Sequence, residues 1–203
     1  MCISDGTVVP QSEILETWAR CGGVEFVVAW NKLYRREFFF TPEHIRYPVG
    51  RLHEDEFTTY KLLYAANRVV FVKKPLYFYV QREGSITASY TERNLEDYAK
   101  AVCEYVKWAD SYAPDKRKLM EYHTVRSIWG ILQRYDKNTK LTNRDDVCRY
   151  LRNFVDSEIT DFWYNPYASY TDYVKYTWYK MGVFVPCMKI WLWLRNIINL
   201  RKL

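Results

Sequence analysis

The sequence predicts an α/β region with few strands over residues 1–90, followed by a mainly α-helical region over residues 91–203. A continuous apolar, partly β-branched run, Val24–Trp30, is typical of a buried strand. Two further short runs, Arg68–Val72 and Leu76–Val80, also have strand character. Beyond residue 90 no β pattern recurs, and apolar residues follow helical spacings of three and four instead.

Composition bounds the class of protein. The 203 residues are enough for one domain with a good core, or for part of a larger protein. Hydrophobic residues make up 49% of the chain and aromatic residues 18%, with only 7 Gly and 7 Pro, which excludes a disordered or low-complexity chain. The net charge of +6 permits an anionic partner, whether a phosphate, a nucleic acid or a membrane surface.

The cysteine and histidine patterns argue against a metal site or a disulfide framework. The five cysteines are scattered without a Cys-x-x-Cys pair, and the three histidines lack metal-ligand spacing, so reduced, buried thiols are expected. No secretory leader is visible at the N-terminus, which favours a cytoplasmic location. No nucleic-acid-binding motif occurs, so we expect no nucleic-acid partner.

The first two elements lead to a group of candidate binding residues. Ser12–Cys21 is expected to form a short helix, because its apolar residues share one face and two glycines follow it. The predicted strand Val24–Trp30 comes next. Asn31, Lys32 and Tyr34 follow it, at the end of the strand where α/β folds commonly place ligand groups. Trp30 suits either the core or a platform for a sugar ring, and Lys32 suits either a phosphate or solvent.

Gly50–Asn67 contains three consecutive acids, Glu54, Asp55 and Glu56, and a helical apolar pattern begins directly after them. We expect the acids to lie in the first turn of that helix, where the macrodipole favours an ionised carboxylate. Repulsion among three adjacent carboxylates raises the pKa of at least one of them. A carboxylate held in this way suits general-base catalysis at neutral pH. The alternative is that the acids are simply solvated at a helix start.

After the acid helix, the two predicted strands are joined by Lys73–Pro75. The polar segment Gln81–Thr87 follows the second strand and is expected to form a loop at the edge of a cleft. Within it, the planar guanidinium of Arg82 suits a diphosphate. A plain surface loop with Arg82 in solvent is the alternative.

The region after residue 90 is expected to be a helical scaffold with no visible chemistry. Thr91 is a good N-cap for a first helix, Pro114 stands near the start of a second, and Thr142 is expected to cap a third. In the segment 162–179, five tyrosines recur at intervals of three, which on an α-helix wraps them around the axis instead of marking one face.

The last segment, residues 186–203, reads as a basic amphipathic helix with tryptophans on its apolar side. Residues 181–203 contain four basic residues and no acid. The apolar run is too short for a membrane span of about 20 residues. The helix is expected either to lie in a membrane interface or to dock on the protein's own core.

Three blocks of sequence, VVAWNKLYRREFF, IRYPVGRLHEDEFTTYKLLY and VVFVKKPLYFYVQREGSIT, occur in this order between residues 27 and 87. This ordered set resembles the second half of the catalytic domain of family 2 glycosyltransferases, the bacterial enzymes that build surface polysaccharides. The resemblance covers residues 10–90 and implies a partial GT-A-like fold. It also implies an inverting transfer of a sugar from a nucleotide-sugar donor to a glycan or lipid-linked acceptor.

The resemblance assigns roles to particular residues. The catalytic base of the family corresponds to Asp55, with Glu54 beside it. Trp30, Asn31, Lys32 and His53 become candidate substrate contacts, and Gln81 and Arg82 fall in the region near the donor diphosphate.

The resemblance further implies a divalent metal, Mg²⁺ or Mn²⁺, held by an Asp-x-Asp motif in the nucleotide-binding half of the family's domain. No Asp-x-Asp occurs in this sequence. We therefore expect the 203-residue chain to be an acceptor-side portion that is inactive by itself. The alternative function is a non-catalytic membrane-surface or interaction protein, located in the cytoplasm or on the inner face of the membrane, that kept the scaffold without donor binding.

Overall fold

The computed structural model describes residues 3–21, 23–40, 44–80 and 91–200, with side chains described as far as residue 197. The chain divides into two compact units, residues 1–104 and 105–203. The sequence-based boundary after residue 90 stays a prediction. The described residues are mainly helical, and their β-structure is one two-stranded sheet.

The first unit is built around two packed helices beside that sheet. Its elements are β1 (Val8–Pro10), α1 (Gln11–Cys21), α2 (Val24–Val27), α3 (Thr59–Ala65), β2 (Arg68–Val70) and the start of α4 (Glu92–Tyr112). The strands pair antiparallel, with Val9 opposite Val69. Trp18 of α1 stacks on Tyr60 of α3 with ring centroids 6.2 Å apart. The predicted helix Ser12–Cys21 is confirmed.

Val24–Trp30 does not form a strand. It forms α2 and a 3₁₀ turn, Ala29–Asn31, because its backbone hydrogen bonds are local: the Val28 N–H donates to the Val24 carbonyl at 3.0 Å. Within the run only Phe26 and Val28 are buried, while Val24 is 68% exposed. Strand propensity reflects packing against neighbouring strands, and no described strand pairs with this segment.

The two later strand predictions had different outcomes. Arg68–Val72 is confirmed for Arg68–Val70, which is β2. Leu76–Val80 is wrong, since these residues form no strand and their side chains are exposed. The likeness to a GT-A sheet stays a prediction.

The second unit is helical, as the sequence predicted. After the end of α4 it contains α5 (Arg117–Lys137), α6 (Arg144–Glu158), α7 (Tyr170–Lys180) and α8 (Phe184–Leu200). Thr91 caps α4 by accepting a hydrogen bond from the Asn94 N–H at 3.1 Å. The predicted cap Thr142 is wrong, because Asn143 occupies the N-cap of α6.

Two features of the sequence have a clear structural outcome. The tyrosine row does wrap around α7, since Tyr170 is 79% exposed whereas Tyr176 is 3% exposed. Cys103, Cys148 and Cys187 form no disulfide, but Cys21 is disulfide-bonded, so the expectation of reduced thiols is wrong for Cys21. None of the described helices combines the length and the apolar character needed to cross a membrane.

Candidate functional site

The three acids lie in a turn that precedes α3, not in its first turn as predicted. The Asp55 carbonyl accepts hydrogen bonds from the backbone N–H groups of Thr58 at 3.1 Å and Thr59 at 2.8 Å, which fixes the turn. The Asp55 carboxylate accepts the Glu56 N–H at 2.9 Å. Asp55 is half-buried, whereas Glu54 is exposed. The structure thus separates the environments of two adjacent acids.

The surroundings of Asp55 perturb its acidity. Burial raises the pKa of Asp55 above its usual value, and the negative charge of Glu54 raises it further. The Glu56 N–H and His53 act in the opposite direction without reversing the shift. A carboxylate with a raised pKa is a stronger base than an ordinary one, so Asp55 is a better proton acceptor than an unperturbed aspartate.

Lys32 lies in the electrostatic field of Asp55. Its ammonium donates to the carbonyls of Glu25 at 2.8 Å and Val28 at 2.7 Å and to the Asn31 side-chain oxygen at 2.8 Å. Burial lowers the pKa of Lys32 to about 8, while the charges of Asp55 and Glu25 oppose that change. An ammonium has three N–H donors, and these acceptors take all of them. In this arrangement Lys32 fixes the turn and places a positive charge near Asp55, with no N–H left for a phosphate.

Two tyrosines complete the surroundings of Asp55. The hydroxyl groups of Tyr34, Tyr47 and Thr59 lie beside one another, and burial raises the pKa of both tyrosines. Both tyrosine hydroxyl oxygens are buried, and neither makes a hydrogen bond of standard geometry with a described residue. Buried polar groups are normally satisfied, and these three neighbouring hydroxyls lie close enough to interact with one another.

His53 adopts a left-handed backbone conformation, φ 58°, beside the acids. Its ring packs on Tyr98 with centroids 4.9 Å apart, and its buried Nε2 has no hydrogen-bond partner among the described residues. A non-glycine residue with positive φ is uncommon and persists where its surroundings hold it.

Asp97 of α4 holds the loop that carries His53. It accepts hydrogen bonds from the Leu52 N–H at 3.0 Å and from Arg51 at 2.9 Å. Burial alone would raise the pKa of Asp97, but these hydrogen bonds outweigh burial and the net pKa is lowered. The loop beside the acids is therefore anchored by a buried, ionised carboxylate.

Trp30 forms an aromatic platform together with two tyrosines that sequence reasoning did not assign. Its ring stacks against Tyr77 and Tyr79, with centroids 4.9 Å and 5.1 Å away and interplanar angles of 27°. All three rings remain partly exposed, Trp30 at 43%. Stacked, exposed aromatic rings present an apolar face to solvent, and such a face suits the C–H face of a sugar.

The structure thus brings some of the predicted residues together. Glu54, Asp55, His53 and Lys32 form one electrostatic cluster, and Asn31 joins it through Lys32. Trp30, in the turn just before Lys32, packs on the platform tyrosines. Gln81 and Arg82 lie outside the described residues. The roles of all these residues stay predictions.

The tyrosines near Asp55 and Trp30 have only weak signals in the sequence. Tyr34 follows the predicted strand end together with Asn31 and Lys32, where ligand groups are expected, whereas Tyr47 has no signal beyond its place before Pro48. Tyr77 and Tyr79 alternate with their neighbours in Leu76–Val80, a run that the sequence predicts to be a strand. This alternation is the signal in the sequence that points to the two tyrosines.

The implied divalent metal does not fit the described residues. Across residues 3–21, 23–40, 44–80 and 91–200, no group of three or more His, Cys, Asp or Glu side chains is placed to hold a metal ion. The charge of Lys32 acts on Asp55, and a bound divalent cation there would be repelled by that ammonium.

The chain is similar in sequence to glycosyltransferase GlyA of Streptococcus pneumoniae serotype 4, with 31% identity over 80 residues. This chain resembles part of a glycosyltransferase. The aligned stretch is 39% of this chain but only 11% of the length of GlyA. No family model matches the sequence, and no solved structure matches it.

Proposed function

We propose that this chain forms the acceptor side of an inverting glycosyltransferase active site of the family 2, GT-A type. It would act in the synthesis of a surface polysaccharide, in the cytoplasm or at the inner face of the membrane. The observation that carries the proposal is the half-buried Asp55, whose raised pKa suits a base. The partial similarity to a glycosyltransferase supports the class of reaction.

Asp55 takes the proton of the acceptor hydroxyl as that oxygen attacks the anomeric carbon of the donor sugar. The new C–O bond forms on the face opposite the leaving nucleoside diphosphate, whose bond to the anomeric carbon breaks, so the configuration inverts. Glu54 is a positioning charge, since it is exposed and acts by raising the pKa of Asp55. Tyr34 and Tyr47 have raised pKa values, so their hydroxyls stay neutral beside Asp55.

The acceptor is a glycan or a lipid-linked sugar that stacks on the platform of Trp30, Tyr77 and Tyr79. Asn31 orients the ammonium of Lys32. On the donor side, Gln81 and Arg82 remain the proposed contacts to the diphosphate of the nucleotide sugar. No step is assigned to a metal, because the described residues do not fit one.

The test is a chromosomal Asp55→Asn replacement in the cell that produces this protein. Composition analysis of the surface glycan is expected to show loss of one sugar, because asparagine cannot accept the proton. Glu54→Gln is the matched control, since it removes a neighbouring but exposed carboxylate and is expected to reduce transfer much less. Immunoblotting verifies equal protein levels. An unchanged glycan in Asp55→Asn cells at a normal protein level would overturn the proposal.

A second candidate is a non-catalytic membrane-surface or interaction protein. The observation in its favour is the exposed apolar side of α8, where Trp193 is 63% exposed. If this candidate is right, Asp55→Asn leaves the surface glycan intact. Substitutions of the exposed apolar residues of α8 instead reduce the association of the protein with its membrane or partner. The chromosomal experiment therefore separates the two functions.

A further inference from the structure

The C-terminal helix α8 exposes apolar side chains that a protein in water normally buries. Phe184, near its start, is 3% exposed and faces the interior of the second unit. Farther along, Ile190 is 59% exposed, Trp193 63% and Leu194 46%. At 100° per residue these three side chains, together with Ile197, fall within a stripe of about 100° on the helix. This stripe lies beside the face that packs on α7 and α5.

The exposed stripe continues into a groove between α7 and α8. The groove has a volume of about 450 Å³ and is lined by apolar side chains with one arginine at its edge: Trp178, Cys187, Ile190, Trp191, Leu194 and Arg195. Trp178 and Trp191 meet edge to face with centroids 5.8 Å apart. An open apolar groove next to exposed tryptophan marks an interaction surface.

Positive charge accompanies this apolar surface. Arg195 is exposed and makes no ion pair with a described residue. Lys175 of α7 lies 5.1 Å from the centroid of the Trp191 ring. Lys189 pairs with Asp136 at 2.8 Å but remains 64% exposed. Residues 181–203 contain no acid. A partner that binds this surface therefore lies next to the positive charges of Lys175, Lys189 and Arg195.

We infer that the α7–α8 surface, defined by Trp178, Ile190, Trp191, Trp193, Leu194 and Arg195, docks on a lipid bilayer that carries anionic headgroups. Charge complementarity selects this occupant, because Arg195 and Lys175 attract lipid phosphates and would repel the same basic surface on a second copy of the chain. Tryptophan side chains favour the boundary between headgroups and acyl chains. The inference does not depend on Asp55 or on any transfer reaction.

The experiment is vesicle co-sedimentation of the full 203-residue chain. Vesicles of phosphatidylcholine alone are compared with vesicles that also contain phosphatidylglycerol. Binding is expected with the anionic vesicles and is expected to weaken as salt is added, because salt screens the headgroup charge. The fluorescence of Trp193 is expected to shift to shorter wavelength on binding, and Trp193→Phe identifies its share of that signal.

Matched variants test the surface directly. Trp193→Ser is expected to weaken vesicle binding about tenfold, because less apolar surface is buried in the bilayer. The control is Tyr164→Ser, at an aromatic residue elsewhere in the second unit that is 82% exposed. This control is expected to leave vesicle binding unchanged. Arg195→Glu is expected to weaken binding roughly tenfold, with Arg149→Glu as the control at an exposed arginine. Unchanged thermal unfolding verifies the fold of each variant.

Two results would overturn the inference. One is equal binding of the wild-type chain to neutral and anionic vesicles, or no binding to either. The other is self-association that Trp193→Ser abolishes, detected by sedimentation velocity, because a second copy of the chain would then cover the surface.

Discussion

Lys32 offers a quantitative test of the electrostatics beside Asp55. Burial lowers the pKa of Lys32 from 10.5 to about 8 in the folded chain. Between these two pH values the unfolded chain still binds the Lys32 proton while the folded chain has released it. The free energy of unfolding must then rise with pH in this window. A pKa that falls from 10.5 to about 8 corresponds to about 3 kcal/mol in total.

The assay compares wild type with Lys32→Met by urea denaturation at a series of pH values from 8 to 10.5. Subtracting the two free energies of unfolding removes the tyrosine titrations that both proteins share. The free energy of unfolding of wild type minus that of Lys32→Met is expected to increase by up to about 3 kcal/mol between pH 8 and pH 10.5. The hydrogen bonds that Lys32 donates to Glu25, Val28 and Asn31 favour the ammonium and reduce this figure. A difference that is flat or falls with pH would show that these hydrogen bonds outweigh burial, which would refute the reasoning.

Three further predictions follow from the site. Asp55→Asn is expected to raise the free energy of unfolding at neutral pH. The raised pKa of Asp55 means that its charged carboxylate destabilises the folded chain, and asparagine removes that charge. A lower free energy of unfolding in urea denaturation would contradict this. In NMR titrations with glycans, Trp30→Ala is expected to abolish the chemical-shift changes of the Tyr77 and Tyr79 rings, whereas the control Tyr164→Ala keeps them. Chemical-shift changes that persist in Trp30→Ala would rule out the platform. The 203-residue chain is expected to bind uridine, guanosine and thymidine diphosphate sugars with millimolar affinity at best, a binding free energy of about 4 kcal/mol. The reason is that the described residues offer no metal-binding carboxylate cluster. Micromolar binding measured by calorimetry would place a donor site on this chain.

The helices were the most predictable part of the fold. α1, α4, α5 and α6 have apolar residues at helical spacing over at least three turns, and burying one face is what forms each of them. Such a pattern is local and repeats, so it is visible without knowledge of the neighbours.

The strands were the least predictable part. Val24–Trp30 and Leu76–Val80 are apolar and partly β-branched, but a strand also requires a partner for its backbone hydrogen bonds. Among the described residues, pairing occurs only between β1 and β2. The apolar side chains of Leu76–Val80 instead remain exposed, and Tyr77 and Tyr79 stack on Trp30.

At the site, the sequence identified the acids and one of the two causes that raise the pKa of Asp55, the repulsion from Glu54. The predicted position in the first turn of a helix, where the helix dipole would favour the ionised carboxylate, is wrong. The structure places Asp55 before α3, in a turn where burial raises its pKa. Burial of one acid out of three adjacent ones depends on how the rest of the chain folds around it, and Tyr34 and Tyr47, from other segments, lie near enough for the Asp55 charge to raise their pKa. A local pattern does not contain that information.

Glu54 and Asp55 are not interchangeable in the proposed reaction, because their surroundings differ. Adjacent residues in a turn point in different directions, and here Glu54 is exposed while Asp55 is half-buried and interacts electrostatically with Lys32 and two tyrosines. The exposed charge of Glu54 still reaches its neighbour and raises the pKa of Asp55. Glu54 therefore tunes the base without needing to touch the acceptor, and Asp55 is the carboxylate whose loss should stop transfer.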